Sequence, residues 1–104
     1  MTQDEQDALE RLMEIAKSDT GQSRLCANFL LAWWNASNCG GFDFTDFWMV
    51  DRQIAADMLT VAGLIARANS SYPDSFGYRA GFEEIVRLWR PALVAHEPEA
   101  QPAS

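Results

Sequence analysis

The apolar residues of this chain recur at spacings of three and four almost throughout, and no stretch alternates at period two for long enough to build a strand. Four helices follow from that pattern. The first spans about residues 4–17 and puts Leu9, Leu12, Met13 and Ala16 on one face. Asp4, Glu5 and Asp7 open it and Lys17 closes it, the charge order that the helix dipole favours. The stretch Ser18 to Gly21 then breaks the period, and Asp19 or Thr20 can cap the next helix. The second helix, about 21–36, carries Leu25, Cys26, Phe29, Leu30, Trp33, Trp34 and Ala36 over roughly half of its wheel. Trp33 falls in the middle of that arc and Trp34 at its edge, while Leu31 lies apart, near Asn28 and Asn35.

The third helix is the longest, about 44–69. Its main stripe is Phe47, Val50, Ile54, Met58, Val61, Leu64, Ile65 and Ala68, and a second arc of Trp48, Ala55, Leu59, Ala62 and Ala66 lies about 100° further round. A loop with Pro73 and Gly77 as breakers leads to the fourth helix, about 78–90, which buries Phe82, Ile85, Val86, Leu88 and Trp89 and pairs Glu83 with Arg87 on its solvent side. These segments predict an all-α, single-domain bundle of four helices over residues 1–91, with the second and third at its centre. Residues 92–104, rich in Pro, Ala and Glu, are expected to form a disordered tail.

The densest stretch is NCGGFDFTDFWMVD, residues 38–51. Chain geometry accounts for most of it. Gly40 and Gly41 follow a helix end, where left-handed backbone is common and glycine adopts it cheaply. Asp43 suits the N-cap of the next helix, with Asp46 at the third position of a capping box and Phe42 and Phe47 as a hydrophobic staple. Thr45 is the competing cap, and it would pair Phe44 with Met49 instead. No Lys-Ser/Thr follows the glycines and no GxGxxG occurs, so the pair is not a phosphate loop.

Two features of this region are left over. Asp51 falls inside the apolar arc of the third helix, and Asn69 points the same way, so the two are a candidate buried polar site. Arg87, Arg90 or an indole N–H would satisfy such a carboxylate; a small-molecule pocket beside it is the functional alternative. Trp48, on the second arc, joins Leu31, Trp34, Met49 and Leu59 as a candidate interaction surface, self-association or core packing being its other uses. Asp57 points to the polar side and is expected to be solvated.

Composition narrows the function classes. The 104 residues carry a net charge of −7, and residues 1–19 hold −4 of it. No basic face is available for phosphates, which argues against direct nucleic-acid binding and for solubility or a basic partner surface. No apolar run approaches the roughly 20 residues that span a bilayer, and the acidic start MTQDEQDALE is unlike a signal peptide, so a cytoplasmic protein without membrane contact is expected. Cys26, Cys39 and His96 are three thiol or imidazole ligands where a tetrahedral zinc site takes four. Cys26 reads as a small apolar helix residue and Cys39 as a loop thiol. No nucleophile is set beside a base, so neither catalytic residues, nor a metal, nor a cofactor is expected.

From Asn28 to Pro91 the blocks FLLAWWNASNCGGFDFTDFWMVD, IAADMLTVAGLIAR, YPDSFGY and FEEIVRLWRP occur in that order. The shared pattern is a Trp-Asn-Ala helix end, a Gly-Phe-Asp-x-Thr-Asp helix start, a Val-Asp four residues on, and a closing Trp-Arg-Pro. It resembles a small uncharacterised helical domain family of proteobacteria, often found on plasmids, integrative elements and phages. The resemblance leaves the first helix and the tail outside, implies an accessory protein of a mobile element, and brings no activity and no functional residue with it. The expected function is a non-enzymatic protein–protein interaction or regulatory module. The alternatives are an inhibitor of a host defence system, similar to anti-CRISPR proteins, that sets its acidic first helix against a basic nucleic-acid site, and a small-molecule sensor.

Overall fold

A computed structural model describes residues 1–94, and these contain helices and loops without strands. The first helix, α1 (Gln3–Ala16), begins at a capping box that the hydrophobic pattern does not single out. The Thr2 hydroxyl accepts from the Glu5 backbone N–H at 3.1 Å, and the Glu5 carboxylate accepts from the Thr2 N–H at 2.9 Å. Glu5 is buried and also binds Arg67, from the far end of α3 (Arg52–Arg67). The Thr2 N–H and then the Arg67 guanidinium hold its carboxyl below the ordinary value of 4.5, against the opposing effect of burial. A carboxylate depressed in the folded state contributes stability that is complete above its unfolded pKa and lost as pH falls through the folded value. The stability difference between the wild type and Glu5→Gln should therefore be constant above about pH 5.5 and shrink as acid unfolding is followed below the ordinary carboxylate range. Equal acid sensitivity of the two proteins would refute this role.

Helix α1 is the element around which the others assemble. Its apolar stripe of Ala8, Leu9, Leu12, Met13 and Ala16 is buried, and it packs chiefly on α2 (Gly21–Cys39) and α3 and also touches α4 (Arg79–Trp89). Helices α2 and α3 have little direct contact, so the expected placing of the second and third helices at the centre is corrected. Two of the buried positions of this stripe, Ala8 and Ala16, are small and let neighbouring elements approach α1 closely. Gly81 does the same for α4, since a Cβ there would run into the Met13 methyl.

Helix α2 starts at Thr20, whose hydroxyl accepts from the Ser23 N–H at 3.0 Å. It is buried over most of its surface, including Leu31, which lies wholly in the core and not apart from it. At Asn35 the backbone turns extended (φ −168°, ψ 85°) and kinks the helix. The Asn35 side chain then accepts from the Asn38 N–H at 3.2 Å and restarts one further turn, which ends at Cys39. Of the two glycines after it, only Gly40 has a positive φ (96°).

The long third helix is two elements. A 3₁₀ helix (Phe44–Trp48) is separated from α3 by a break at Asp51, whose extended backbone (φ −59°, ψ 153°) makes it the cap residue. Its N–H donates to Oε1 of Gln22 at 2.7 Å, so it forms no intrahelical bond. A wheel drawn continuously through this break misplaces every residue before it relative to those after it. Asp51 is exposed, with no side-chain capping bond, and Asn69 is exposed beyond the helix end at φ 39°. The expected buried polar site at Asp51 and Asn69 does not exist.

The buried carboxylate of α3 is Asp57, at 3% exposure, which corrects its expected solvation. Arg11 of α1 grips it through two bonds, Nε to Oδ2 at 2.9 Å and Nη2 to Oδ1 at 2.8 Å, and Gln53 donates to Oδ1 at 3.0 Å. Helix α4 ends at Trp89, and its solvent-side ion pair joins Arg79 to Glu83 at 3.1 Å instead of Glu83 to Arg87. Residues 92–94, expected to begin the tail, are helical, with Leu93 packed against the core. The remainder of the expected tail, 95–104, lies outside the described residues, as does His96.

Candidate interaction surface

Residues 40–51 join α2 to α3, and their aromatic side chains divide into an inner and an outer set. Phe42 and Phe47 turn inward: Phe42 meets Phe29 of α2 edge-on at 5.2 Å between ring centroids, and Phe47 meets Phe42 at 5.3 Å. These are the partners of the expected staple. Asp43 is the cap, accepting from the Thr45 N–H at 2.9 Å and the Thr45 hydroxyl at 2.8 Å. Those bonds, the hydroxyl's first, hold the Asp43 carboxyl below its ordinary range. Thr45 is thus the donor to the cap and not the cap itself. Asp43 takes the Thr45 N–H and not that of Asp46, whose N–H goes to the Asp43 carbonyl, and Asp46 returns no side-chain bond, so the expected capping box is not made among the described residues.

The outer set is Phe44, Trp48 and Met49, with exposures of 78%, 82% and 68%. The inner phenylalanines and the cap fix the backbone, and a short 3₁₀ turn leaves these three side chains no core to enter. Of the other expected surface residues, Leu59 is exposed on the outer face of α3 at 62% and Leu31 is fully buried. Trp34 is half-buried, stacked on Phe82 at 5.5 Å. Phe44 is absent from the expected surface, because a wheel treats it as the first residue of a long helix with its fate undecided.

Trp34 instead lines an open groove of about 590 Å³ at the α2 kink, with Asn35, Tyr72, Asp74 and Arg79. A second groove, of about 490 Å³, runs between α1 and α3 over Ile15 and Ile54. Neither is lined by Asp51 or Asn69. Both cysteines are free and buried, Cys39 closing α2 instead of lying in a loop. Burial, with Asp57 nearby, pushes the Cys26 thiol up to about 12, and burial also raises Cys39, so neither is a poised nucleophile. Among the described residues, no three His, Cys, Asp or Glu side chains are grouped as metal ligands, and no helix is long and apolar enough to cross a membrane.

The motifs of the sequence now have places. Asn35 makes the kink, Phe42 and Asp43 shape the outer aromatic turn, Trp89 donates its indole N–H to the Ala16 carbonyl at 2.6 Å, and Arg90 binds the Cys39 carbonyl at 2.9 Å. Residues 6–90 match DUF7673, a family of unknown function. The chain belongs to that family. The DUF7673 match begins inside α1, so the first helix is part of the family domain and not an addition to it, as the blocks starting at Asn28 had implied. No curated protein and no solved structure matches the chain.

Proposed function

We propose that this DUF7673 protein is a non-enzymatic protein–protein interaction module that docks through Phe44, Trp48 and Met49. One observation carries the reading: three large apolar side chains within six residues stand in solvent on a turn that the Asp43 cap and the packed rings of Phe42 and Phe47 support from beneath. Phe44 and Trp48 can each bury on the order of 150–250 Å² in a complex, and exposed aromatics of this kind dominate interface energetics. Such support means that little conformational entropy is lost on docking. The resemblance of the sequence blocks to plasmid- and phage-borne proteins supports a role as an accessory protein of a mobile element. A second copy is the competing occupant of the same patch.

The test pairs stability with binding. Phe44→Ala/Trp48→Ala should change unfolding free energy by no more than about 0.5 kcal/mol, as for surface positions. Used as bait in the native host, the same variant should lose the partners that the wild type retains, with affinity falling about 30-fold or more for a hot-spot pair. Sedimentation of the wild type separates self-association from a foreign partner. Unchanged capture by the double variant would sink the docking role, and a stability loss of several kcal/mol would make the residues core.

A further inference from the structure

The groove between α1 and α3 has a chemistry of its own, separate from the Trp48 turn. Its floor is apolar, made by Ile15 and Ile54, and its rim is acidic, with Asp7, Glu10 and Glu14 from α1. A smaller cleft of about 230 Å³ continues along the same two helices past Asp4, Ala56 and Thr60, and shares Asp7, Arg11, Gln53 and Asp57 with the first. Along the two, five carboxylates face one guanidinium, and that guanidinium is already committed to Asp57.

The fold explains the acidic stripe only in part: Asp4 stands in the first turn, where the helix dipole favours it, Asp7 accepts from Gln3 at 2.8 Å, and Glu10 accepts from Gln6 at 3.2 Å and from the Tyr78 hydroxyl at 2.7 Å. Asp4, Asp7, Glu10 and Glu14 are three or four residues apart, so they lie in a row on α1, where like charges repel one another. Glu14 sits in the last turn of α1, the end at which the helix dipole disfavours a carboxylate. Neither Asp4 nor Glu14 forms a side-chain hydrogen bond or ion pair among the described residues. The row spans about 15 Å, the rise of some ten helical residues. Residues 95–104 bring Glu97 and Glu99 and no Lys or Arg, so like charge opposes their docking here, and the net charge of −7 opposes a second copy.

We infer that the α1/α3 groove receives a cationic amphipathic helix of a partner protein, with apolar side chains on Ile15 and Ile54 and Lys or Arg against Asp7, Glu10 and Glu14. Such a segment supplies the charge the rim lacks and the apolar face the floor accepts, the arrangement by which grooves capture helices. The attraction also raises the association rate and makes it sensitive to salt.

The probe is a synthetic Leu/Lys peptide with leucines at helical spacing, titrated calorimetrically into the full chain. A scrambled peptide of identical composition is the control for bulk charge. The amphipathic peptide should bind, and the scrambled one at least about tenfold more weakly; Asp7→Asn/Glu14→Gln should lose about tenfold in affinity, and raising salt from about 0.05 to 0.2 M should weaken the wild type several-fold. Asp19→Asn/Asp51→Asn, which removes the same charge from exposed sites elsewhere, should bind as the wild type does, and so should Trp48→Ala. Equal binding of the two peptides, equal loss in the two charge variants, or loss in Trp48→Ala with retention in Asp7→Asn/Glu14→Gln would each overturn the assignment. The last outcome would move the peptide to the Trp48 turn and leave that docking surface standing.

Discussion

Trp33→Ala should destabilise the protein by about 3–5 kcal/mol in equilibrium urea unfolding, the range for truncating a buried aromatic. The indole is 8% exposed, with its ring edge-on to Phe82 at 6.0 Å and tilted against Phe76 at 6.3 Å. It thereby joins α2 to α4 and to the 3₁₀ turn Pro73–Phe76. Its Nε1 donates to the Ser71 carbonyl at 3.1 Å, directly after Asn69 and Ser70, which hold left-handed backbone at φ 39° and 68° without being glycine. Two such residues in succession persist only where the surroundings dictate them. Trp33→Ala removes the ring contacts and that anchor together, while Trp33→Phe keeps most of the ring and should cost only about 1–2 kcal/mol for the lost bond. Trp34→Ala should cost less than Trp33→Ala, because its ring is half-buried and stacks on Phe82 alone. A loss under about 1 kcal/mol for Trp33→Ala, well below the range for a buried aromatic, would mean that the loop is held by something else.

The contrast between these adjacent tryptophans is legible in the sequence, where Trp33 falls at the middle of the apolar arc and Trp34 at its edge. So are α1 and α4, to within about a residue at each end, because each is a single amphipathic period with a break in the pattern on either side. What fails is continuity. The pattern from Phe44 to Asn69 fits one helix, and nothing local announces that the Asp51 N–H bonds to Gln22, 29 positions earlier. That one long-range bond ends the wheel, and with it the apparent burial of Asp51. The exposure of Trp48 is visible in the pattern, but as part of a second helix face and not of an isolated turn. Asp57 is different, because the signal is there: it lies three after Ile54 and four before Val61, in step with the buried stripe. Its acidity suggests solvation, although Arg11 on another helix can reach it. The central position of α1 has no local signal, since which helix lies between the others depends on how far small residues such as Ala8 and Ala16 let neighbours approach.

Arg90→Ala should cost about 2–3 kcal/mol, the range for losing charge-assisted hydrogen bonds to partners that stay part-buried. The guanidinium donates through Nε to the Cys39 carbonyl at 2.9 Å and through Nη2 to Asn28 Oδ1 at 2.8 Å, with Nη1 on the Trp89 carbonyl at 2.9 Å. It thus clamps both sides of the α2 kink: Asn28 belongs to the main helix and Cys39 to the single turn after Asn35. Arg90→Lys should recover less than half of the loss, because one ammonium cannot present the planar fork that meets all three acceptors. The turn held by this clamp leads directly into Gly40 and the Phe42–Met49 segment, so its loosening should reach the proposed docking surface without touching it. Amide exchange should therefore accelerate in Arg90→Ala at residues 36–49 and stay near wild-type rates in α1, measured under conditions where the variant remains folded. Partner affinity at the Trp48 turn should fall with it, because a looser turn must be ordered again on docking. Uniform acceleration across all four helices would instead assign Arg90 to global stability alone and separate the clamp from the surface.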